Sequence, residues 1–529
     1  MAAVSALVLV ASCGGDGDSA SGGKPDTGAP SVIVIGADGA EWQVINDLVE
    51  QGELPGFARM MEEGAHGHLL NPGPQVSPVV WTTFATGHFS RDHGILDFVH
   101  PFTDTEGKQP VDVSLRRKPA LWNLLDAHDK RSTVIGYFVS YPAEPVAGRI
   151  VSDRAFQGLE QSVWPADIES LSDEIRSSVR DDREALYARF LPWPYEKAQA
   201  EDESSPYHEA ARLVERNVDN RIVSDEYLKR MTEALSDEPA DLLITYYRII
   251  DIVSHALWYY YDASDWDEKP SEQQMELLGD VVQESYRYVD EVIQLMLERF
   301  GDEANIFVIS DHGFGSAIGQ YAPRANPLLT GNHRPNGVIL AHGPDIAPGE
   351  LEPTTIMEVF PTLAGLLGVP IADTLPGRIE YNLLREEALD EQPPQYTERY
   401  DFGWRAVEGR EVDAEAQAEE MESLRGLGYI GEGVTLGDAA DGEYDFWSVE
   451  ANLLVANLHG EVVYYLLRGD ESAADAVANS LKRNAPHLLP LLLARTRAKV
   501  HSLRRDVPGA DDLALETDAF VKRHQGSTQ

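Results

Sequence analysis

The sequence predicts an α/β fold in which a central, mostly parallel β-sheet is flanked by helices. Short apolar runs rich in β-branched residues recur along the chain, and segments with helical periodicity separate them. The chain has 529 residues, which is room for roughly two to four domains. Hydrophobic residues make up 43% and charged residues 25%, an ordinary globular composition that excludes global disorder, collagen and a coiled coil.

Five apolar runs are predicted to be strands. The first, Ser31–Gly36, is continuously apolar and ends in glycine, which is typical of a parallel strand buried on both faces. The other predicted strands are Thr133–Val139, Ala240–Tyr247, Asn305–Ser310 and Asn336–Ala341. Helical patterns between them include Trp42–Glu63, which Pro55 interrupts, and Glu276–Arg299.

Composition divides the chain into four predicted parts. Residues 1–30 are predicted to be a signal and flexible tether, and residues 31–385 the α/β domain. Within that domain, 155–236 is an acidic helical insertion with no clear strand, which caps or flanks the catalytic face. Residues 386–442 are an acidic extended arm, and residues 443–529 a C-terminal helical region.

The spacing of certain apolar residues near the C-terminus weakly matches one tetratricopeptide repeat. An ordinary helical hairpin explains this spacing equally well, because such repeats need roughly three copies for stability.

The start of the chain predicts a membrane-anchored lipoprotein. Ala6–Cys13 is an apolar run that ends in small residues and the only cysteine, which resembles a bacterial lipoprotein signal. Gly14–Pro30 is rich in Gly, Ser, Asp and Pro and reads as a tether. The alternative is a frayed hydrophobic terminus, since the run is short and no basic residue precedes it. We expect the bacterial periplasm or cell surface, with membrane contact only through a lipid anchor at Cys13.

The net charge of −46 limits the partners of this protein. A surface so negative repels the phosphates of nucleic acids, and we therefore expect no DNA or RNA partner. It also disfavours electrostatic attachment to anionic lipids. A protein partner for the C-terminal helices is left open.

Acidic residues and histidines follow three of the predicted strands. Asp38 follows the first, Asp251 and His255 the third, and Asp311 with His312 the fourth. The carboxyl ends of parallel strands share one edge of a sheet, where ligands bind. Taken singly, each motif has an ordinary explanation as a turn, a cap or an exposed helix pair. Taken together, three carboxylates at one edge repel one another and favour divalent cations with O and N ligands.

Two further positions complete the predicted site. His333, before the fifth strand, is the natural sixth ligand. Ser77 begins a helical segment and is either an ordinary N-cap or a nucleophile placed in the positive field of a helix N-terminus, where phosphoryl oxygens also bind. The remaining histidines of the α/β domain with no strand-end acid beside them are predicted to be surface or turn residues: His66, His68, His88, His93, His100 and His342.

Six short motifs follow one another along this domain. They are Ile35–Gly39, Ser77–Gly87, His93–Ile95, Asp251–His255, Asp311–Gly313 and His333. This order resembles the alkaline phosphatase superfamily, and most closely its type I phosphodiesterase/nucleotide pyrophosphatase branch. The resemblance covers about residues 31–385 and implies an alkaline-phosphatase-like sheet.

The resemblance also implies a function. It suggests a two-metal hydrolase of phosphodiesters or pyrophosphates, acting on a small-molecule or lipid phosphate ester through a phosphoserine intermediate at Ser77. By this likeness, zinc ions, or alternatively manganese ions, are held in two groups: Asp38, Ser77, Asp311 and His312 for one, and Asp251, His255 and His333 for the other. The alternatives are a phosphotransferase, mutase or phosphomonoesterase of the same superfamily, and a metal-stabilised scaffold without activity.

This sequence departs from the branch at one substrate-contacting position. Nucleotide pyrophosphatases carry an asparagine after the His-Gly turn that helps to hold a phosphoryl oxygen, whereas Phe98, preceded by Asp97, stands here. This departure weakens the expectation of a nucleotide substrate. The nucleophile position, often threonine in that branch, is the chemically equivalent Ser77.

Overall fold

The computed structural model describes residues 30–99, 109–190, 219–319, 329–390, 392–408, 446–506 and 510–525, together with positions 418, 421 and 424. Cys13, the tether and His100 lie outside these ranges, as does most of the predicted arm beyond residue 408. Among the helices within them, none is both long and apolar enough to cross a membrane.

Strands and helices alternate along the α/β domain. The strands are β1 (Val32–Ala37), β2 (Ala65–Leu70), β3 (Ser132–Ile135), β4 (Gly148–Val151), β5 (Val163–Trp164), β6 (Leu242–Tyr247), β7 (Asn305–Ile309), β8 (Gly313–Ser316), β9 (Gly331–Arg334), β10 (Asn336–His342), β11 (Gly349–Glu350), β12 (Thr354–Thr355), β13 (Ile371–Ala372) and β14 (Tyr396–Thr397). The helices of this part are α1 (Trp42–Glu50), α2 (Pro55–Glu63), α3 (Ser77–Thr86), α4 (Ser90–His93), α5 (Leu121–Asp126), α6 (Glu169–Asp181), α7 (Arg183–Phe190), α8 (Asp219–Leu235), α9 (Ile249–Tyr261), α10 (Glu272–Leu278), α11 (Val281–Phe300) and α12 (Ile356–Leu366).

The main sheet is parallel at its centre, which confirms the predicted fold class. Its order is β11-β2-β10-β7-β1-β6-β3-β4-β5, and β7, β1, β6, β3 and β4 run parallel to one another. β10 is antiparallel to β7, because the β8–β9 hairpin between them reverses the direction of the chain. The strands that precede the predicted site residues are therefore neighbours: β7, β1 and β6.

Apolar side chains cover both faces of this sheet. In β1, Ile33 and Ile35 join one buried cluster, which packs on α1, α2, α9 and α11. Val32 and Val34 join a second cluster on the opposite face, with α3, α5 and α12. This alternation explains why the strand is apolar at every position, since parallel strands between two helical layers are buried on both sides.

Two strand predictions need correction. The strand predicted to run to Val139 ends at Ile135, because Gly136 and Val139 adopt left-handed backbone angles, with φ of 71° and 58°. The insertion predicted to lack a strand contains β5, which pairs antiparallel with β4 at the edge of the sheet. With only two residues, β5 is too short to produce a detectable alternation.

Strand β2 was not predicted at all. Its sequence, Ala-His-Gly-His-Leu-Leu, places His66 and His68 on the half-buried face, beside the indole of Trp42. The prediction of surface or turn histidines is also wrong for His93 and His342, which are buried in a helix and a strand. His88 is buried too, but it lies in the bend between α3 and α4. His93 illustrates the reason: its Nε2 lies 3.1 Å from Thr83 Oγ1, so a polar ring is satisfied inside the domain.

The C-terminal region is helical, as predicted. It contains α13 (Phe446–Leu467), α14 (Glu471–Asn484), α15 (Leu489–Asp506) and α16 (Ala510–Gln525), which share their own buried cluster. Tyr464 of α13 also packs in the second cluster of the α/β domain, and its hydroxyl donates to the Pro376 carbonyl at 2.7 Å. The C-terminal helices therefore lie directly against the α/β domain.

A candidate metal centre at the carboxyl edge of the sheet

Three carboxylates meet where neighbouring parallel strands end. Asp38 follows β1, Asp251 lies in the first turn of α9 after β6, and Asp311 follows β7. Because β1 lies between β6 and β7, these side chains reach one small volume, as the sequence predicted. Each of the three residues is at most 2% exposed, so water screens their charges little.

Three histidines surround these carboxylates, and each is oriented by a backbone carbonyl. The Nδ1–H groups of His255, His312 and His333 donate to the carbonyls of Gly331, Gly313 and Gln75, each at 3.1 Å. Since a carbonyl can only accept, each ring carries its proton on Nδ1 and turns Nε2 towards the carboxylates. This is the arrangement in which a neutral imidazole binds a metal ion.

The Nε2 atoms and carboxylate oxygens converge. Asp251 Oδ1 lies 3.2 Å from His333 Nε2 and 3.3 Å from His255 Nε2. His312 Nε2 lies 3.3 Å from Asp38 Oδ1 and 3.7 Å from Asp251 Oδ1. Two sets have ligand atoms all within 4.8 Å of one another: Asp38, Asp311 and His312, and Asp251, His312 and His333. His312 belongs to both sets, whereas the resemblance places it with one ion.

The residues present fit divalent metal ions. The Nε2 atoms of His255 and His333 lie 2.8 Å apart, and two lone pairs at that distance repel unless a proton or a cation lies between them. Within the described ranges, no group hydrogen-bonds to Asp38 Oδ1, His312 Nε2 or Ser77 Oγ, although all three atoms are buried. Buried polar atoms normally have a partner, and carboxylate, imidazole and hydroxyl atoms are all metal ligands.

The ionisation of these groups reflects their mutual repulsion. Burial, together with the charges of the neighbouring carboxylates, raises the pKa of Asp38 well above its ordinary value. Burial also raises the pKa of Asp311 to about 7. Burial acts the same way on Asp251, but the His255 and His333 rings outweigh it and hold its pKa well below the usual range. Burial lowers the pKa of His312, which keeps this ring neutral.

Ser77 is the first residue of α3 and does not act as a side-chain cap. Val76 occupies the N-cap position, and no side chain caps this helix. The Ser77 hydroxyl is instead buried at the positive end of α3. Gln75, two residues earlier, accepts the His333 hydrogen bond and so ties this segment to the histidine cluster.

Sequence reasoning missed the groups that orient the ligands. The Tyr246 hydroxyl donates to Asp38 Oδ2, which turns Oδ1 towards His312. The Glu41 carboxylate accepts the Phe314 N–H at 2.9 Å, and the Phe314 ring packs on the His255 ring with centroids 4.8 Å apart. Tyr246 carried a usable signal, since it lies next to the end of a predicted strand that leads to a ligand. The orienting carbonyls carried none, because every residue has one.

An apolar cluster includes Val76, the residue before Ser77. Phe98, which stands where the resembled branch has asparagine, is buried and packs 6.1 Å from the Phe138 ring. Val76 packs against the same cluster, and so do Met421 and Leu424. The position that would hold a phosphoryl oxygen through an amide is therefore apolar in this protein.

A profile described as "Type I phosphodiesterase / nucleotide pyrophosphatase" matches residues 32–349, which is more than half of the chain. The chain belongs to the type I phosphodiesterase/nucleotide pyrophosphatase family. The matched range includes every predicted ligand from Asp38 to His333 and also Ser77.

Three solved structures are similar to part of the chain. Murine ectonucleotide pyrophosphatase/phosphodiesterase 5, in an inactive form with AMP, is 14% identical, with a TM-score of 0.40, covering 67% of this chain and 100% of that one. A mutant of the alkaline phosphatase PafA is 11% identical, with a TM-score of 0.43, covering 68% and 99%. Phosphonoacetate hydrolase from Sinorhizobium meliloti 1021 is 14% identical, with a TM-score of 0.33, covering 56% and 59%. No curated protein matches the chain by sequence.

As a member of the type I phosphodiesterase/nucleotide pyrophosphatase family, the protein is a hydrolase that acts on phosphoester bonds. The family is a metal-dependent group of phosphoesterases, and the buried carboxylate–histidine cluster supplies candidate metal ligands for this activity.

Proposed function

We propose that the protein hydrolyses phosphodiesters or pyrophosphates through a covalent phosphoserine intermediate at Ser77. One observation carries the proposal: a buried hydroxyl at a helix N-terminus lies in a segment that is hydrogen-bonded to a cluster of six candidate metal-ligand side chains. That combination matches in-line phosphoryl transfer, which needs a nucleophile and positive charge at the same place.

The ligand set divides into two groups. Asp38, Asp311 and His312, with Ser77, would hold one divalent ion; Asp251, His255 and His333 would hold the other. Bound there, zinc or manganese ions would supply Lewis acidity and offset the negative charge that develops on the phosphoryl oxygens. The hydrogen bonds from His255, His312 and His333 to backbone carbonyls keep the three Nε2 atoms in place for this role.

The reaction then consists of two successive substitutions at phosphorus, first by Ser77 and then by water. The Ser77 hydroxyl gives its proton to solvent and its Oγ attacks phosphorus. The Oγ–P bond forms, the bond from phosphorus to the leaving oxygen breaks, and that oxygen takes up a proton from solvent. The N-terminus of α3 favours the negative charge on the transferred group. Water next attacks phosphorus from the vacated side, the Oγ–P bond breaks, and the Ser77 hydroxyl is restored. A phosphodiester gives an alcohol and a phosphate monoester. A pyrophosphate gives a phosphate in place of the alcohol, together with a phosphate monoester or a second phosphate.

The apolar cluster that includes Val76, next to Ser77 in the chain, bears on the substrate. Phe98 and Phe138 offer no hydrogen-bond donor to a phosphoryl oxygen but suit an apolar substituent of the ester. We therefore propose a small-molecule or lipid phosphate ester in preference to a nucleotide. The net charge of −46 opposes long-range attraction of such anions, but beyond ~8 Å at physiological salt that field is largely screened.

A substrate screen tests this function. The purified full chain is stripped with a chelator, reloaded with zinc or manganese, and assayed on bis-p-nitrophenyl phosphate, p-nitrophenyl phosphate and a dinucleotide pyrophosphate. We expect turnover of the diester above the monoester, and trapping of a phosphorylated Ser77 by acid quench. Turnover of the monoester alone would favour a phosphomonoesterase, and turnover of none of them by metal-loaded protein would refute the proposal.

For localisation, we propose a lipoprotein anchored at Cys13 in the bacterial periplasm or at the cell surface. The motif Ala6–Cys13 and the tether to Pro30 support it. Labelling with a radioactive fatty acid in a bacterial host should modify the wild type and not a Cys13→Ala variant. Equal labelling of both proteins, or of neither, contradicts the anchor.

A further inference from the structure

The C-terminal helices contact the segment that leads into the candidate nucleophile. The ammonium of Lys499, on α15, donates to the Gly73 carbonyl at 3.2 Å. On α13, Gly460 packs so closely on the same turn that a Cβ there would lie 2.6 Å from Gly73 Cα. Two helices of the C-terminal region therefore touch one residue, Gly73, four positions before Ser77.

Lys499 lies in unusual surroundings for a lysine. The residue is only 9% exposed, and burial lowers its pKa to about 7. Among the described residues, no ion pair joins Lys499 to a carboxylate. The charges of Lys499 and Arg495 both act on His459 of α13, and Asp518, an acid that pairs with α15, binds Arg497 at 2.8 Å. Burying a lysine without a counter-ion costs free energy, and the hydrogen bond to the Gly73 carbonyl offsets part of that cost.

The contacted segment transmits position to the metal centre. Gly73 lies between Pro72 and Pro74, whose rings fix φ near −65° and stiffen the turn. Asn71 Oδ1 accepts the Gly73 N–H at 3.0 Å and holds the turn from within. Gln75, two residues further on, holds the His333 ring. A shift at Gly73 is therefore carried both to His333 and to the start of α3.

Other contacts hold the C-terminal helices independently of Lys499. Arg91 pairs with Glu461 at 2.9 Å, and Tyr464 donates to the Pro376 carbonyl at 2.7 Å. Ser90 also donates to Asn457. Because the Arg91–Glu461 and Tyr464–Pro376 contacts do not involve Gly73, losing the Lys499 hydrogen bond should leave the helices docked, and its effect should fall on the turn.

We propose that Lys499 is a positioning residue for the phosphoester reaction: from the C-terminal helices it holds the Pro72–Gln75 turn that orients His333 and Ser77. This inference rests on the proposed function of Ser77 and the histidine cluster. It gives the C-terminal helices a part in catalysis that requires no protein partner.

The test compares Lys499→Met, Lys499→Arg and Lys522→Met. Lys522 is an exposed lysine of the same helical region, so K522M is a matched control for the loss of one ammonium. We expect K499M to lower kcat on a diester by about ten- to a hundredfold with little change in KM, since small misplacements of reacting groups have effects of this order. K499R should restore most of the activity, and K522M should match the wild type.

A second measurement separates positioning from general stability and does not depend on activity. Hydrogen exchange of peptides covering residues 71–80 should be faster in K499M, while peptides of α13 exchange as in the wild type. Should K499M not fold, Lys499→Gln, which removes the ammonium and keeps a polar side chain, takes its place, with the same changes expected in kcat and exchange.

Three outcomes separate the hypotheses. A folded K499M protein with wild-type kcat and exchange overturns the positioning role alone. Faster exchange of α13 in K499M shows that the helices have detached, and it also overturns the role. A metal-loaded wild type that turns over no phosphate ester refutes the proposed function, and the positioning role with it.

Discussion

At the scale of single residues, the metal centre depends on hydrogen bonds that decide which atom of each ligand faces inwards. His333 is the clearest case, because its Nδ1–H is held by the Gln75 carbonyl and its Nε2 is thereby directed to Asp251. Asp38 is oriented in a similar way, because the Tyr246 hydroxyl donates to its Oδ2 and its Oδ1 then faces the metal centre. Such contacts orient ligands and tune metal affinity as strongly as some ligands do.

Replacing Ser77 with alanine separates its two proposed roles. As the nucleophile, Ser77 forms a covalent bond in the transition state, so we expect S77A to lower kcat by at least about a thousandfold. The melting temperature should change little, because the hydroxyl caps no backbone group of α3. Ser77→Thr keeps a hydroxyl and should retain measurable activity. Near-normal kcat in S77A, measured on any substrate of the wild type, would contradict the assignment.

Removing the Tyr246 hydroxyl should weaken metal binding. Without its donor, Asp38 Oδ2 is buried unpaired and the carboxylate loses its fixed orientation, so we expect Tyr246→Phe to lower zinc affinity by about 10- to 100-fold. Competition with a chromogenic chelator measures this. Tyr247→Phe is the matched control, since the neighbouring hydroxyl contacts Thr232 and Thr245 instead. Equal affinities in both variants would exclude an orienting role for Tyr246.

At the scale of elements, the helix that carries two ligands is held by the insertion. Asp225, on α8, accepts the N–H groups of Arg248 and Ile249 at 2.8 and 2.7 Å, where α9 begins. Asp251 and His255 follow on that helix within two turns. The insertion therefore does more than cover the domain, because one of its carboxylates satisfies the first N–H groups of a ligand-bearing helix.

The Asp225 carboxyl predicts a pH effect on stability. Burial raises its pKa from 3.8 to about 6, so the folded state binds this proton more tightly than the unfolded state does. The stabilisation that the folded state gains from this tighter proton binding is fully present below the pKa of the unfolded state, and it is lost as the pH rises through about 6. Asp225→Asn keeps an acceptor and removes the titration. Relative to the wild type, the free energy of unfolding of this variant should rise by on the order of 1–3 kcal/mol between pH 4 and pH 7.

Urea unfolding of chelator-treated protein at both pH values measures that difference. Asp265, an exposed acid of a surface loop, provides the control variant Asp265→Asn. A constant free-energy gap between D225N and the wild type across this range would show that Asp225 stays ionised in the folded protein.

At the scale of the whole molecule, the site joins segments that are far apart in sequence. The candidate ligands extend from Asp38 to His333. Metal ions that bridge them would bind only the folded chain and so add to its stability.

Metal removal should therefore lower the melting temperature. Stabilisation by a ligand that binds only the folded state reaches about 4 kcal/mol at a free concentration one thousand times Kd. We expect chelation to lower the melting temperature by several degrees and added zinc to restore it, as followed by calorimetry. In Asp251→Asn, which weakens the ligand nearest to His255 and His333, the shift should be smaller. A melting temperature that changes neither with the chelator nor with added zinc would argue against a contribution of the metals to stability.

The sequence predicted the parts of this architecture that local patterns determine. The apolar runs around β1, β6 and β7 were recognisable because both faces of each strand are buried, and the acids after them marked the sheet edge. β2 escaped because its histidines interrupt the apolar pattern. The Tyr246–Asp38 and Lys499–Gly73 contacts join residues 208 and 426 positions apart, and no local pattern reports such pairs.

The strand order described above has a consequence for biosynthesis. Val32 of β1 pairs with Leu242 on one side and Asn305 on the other, so the central strand is made long before either neighbour. At ~5–20 residues per second, a ribosome needs on the order of 10–50 seconds to reach those partners. During that interval an apolar strand with two open edges is available for wrong pairing.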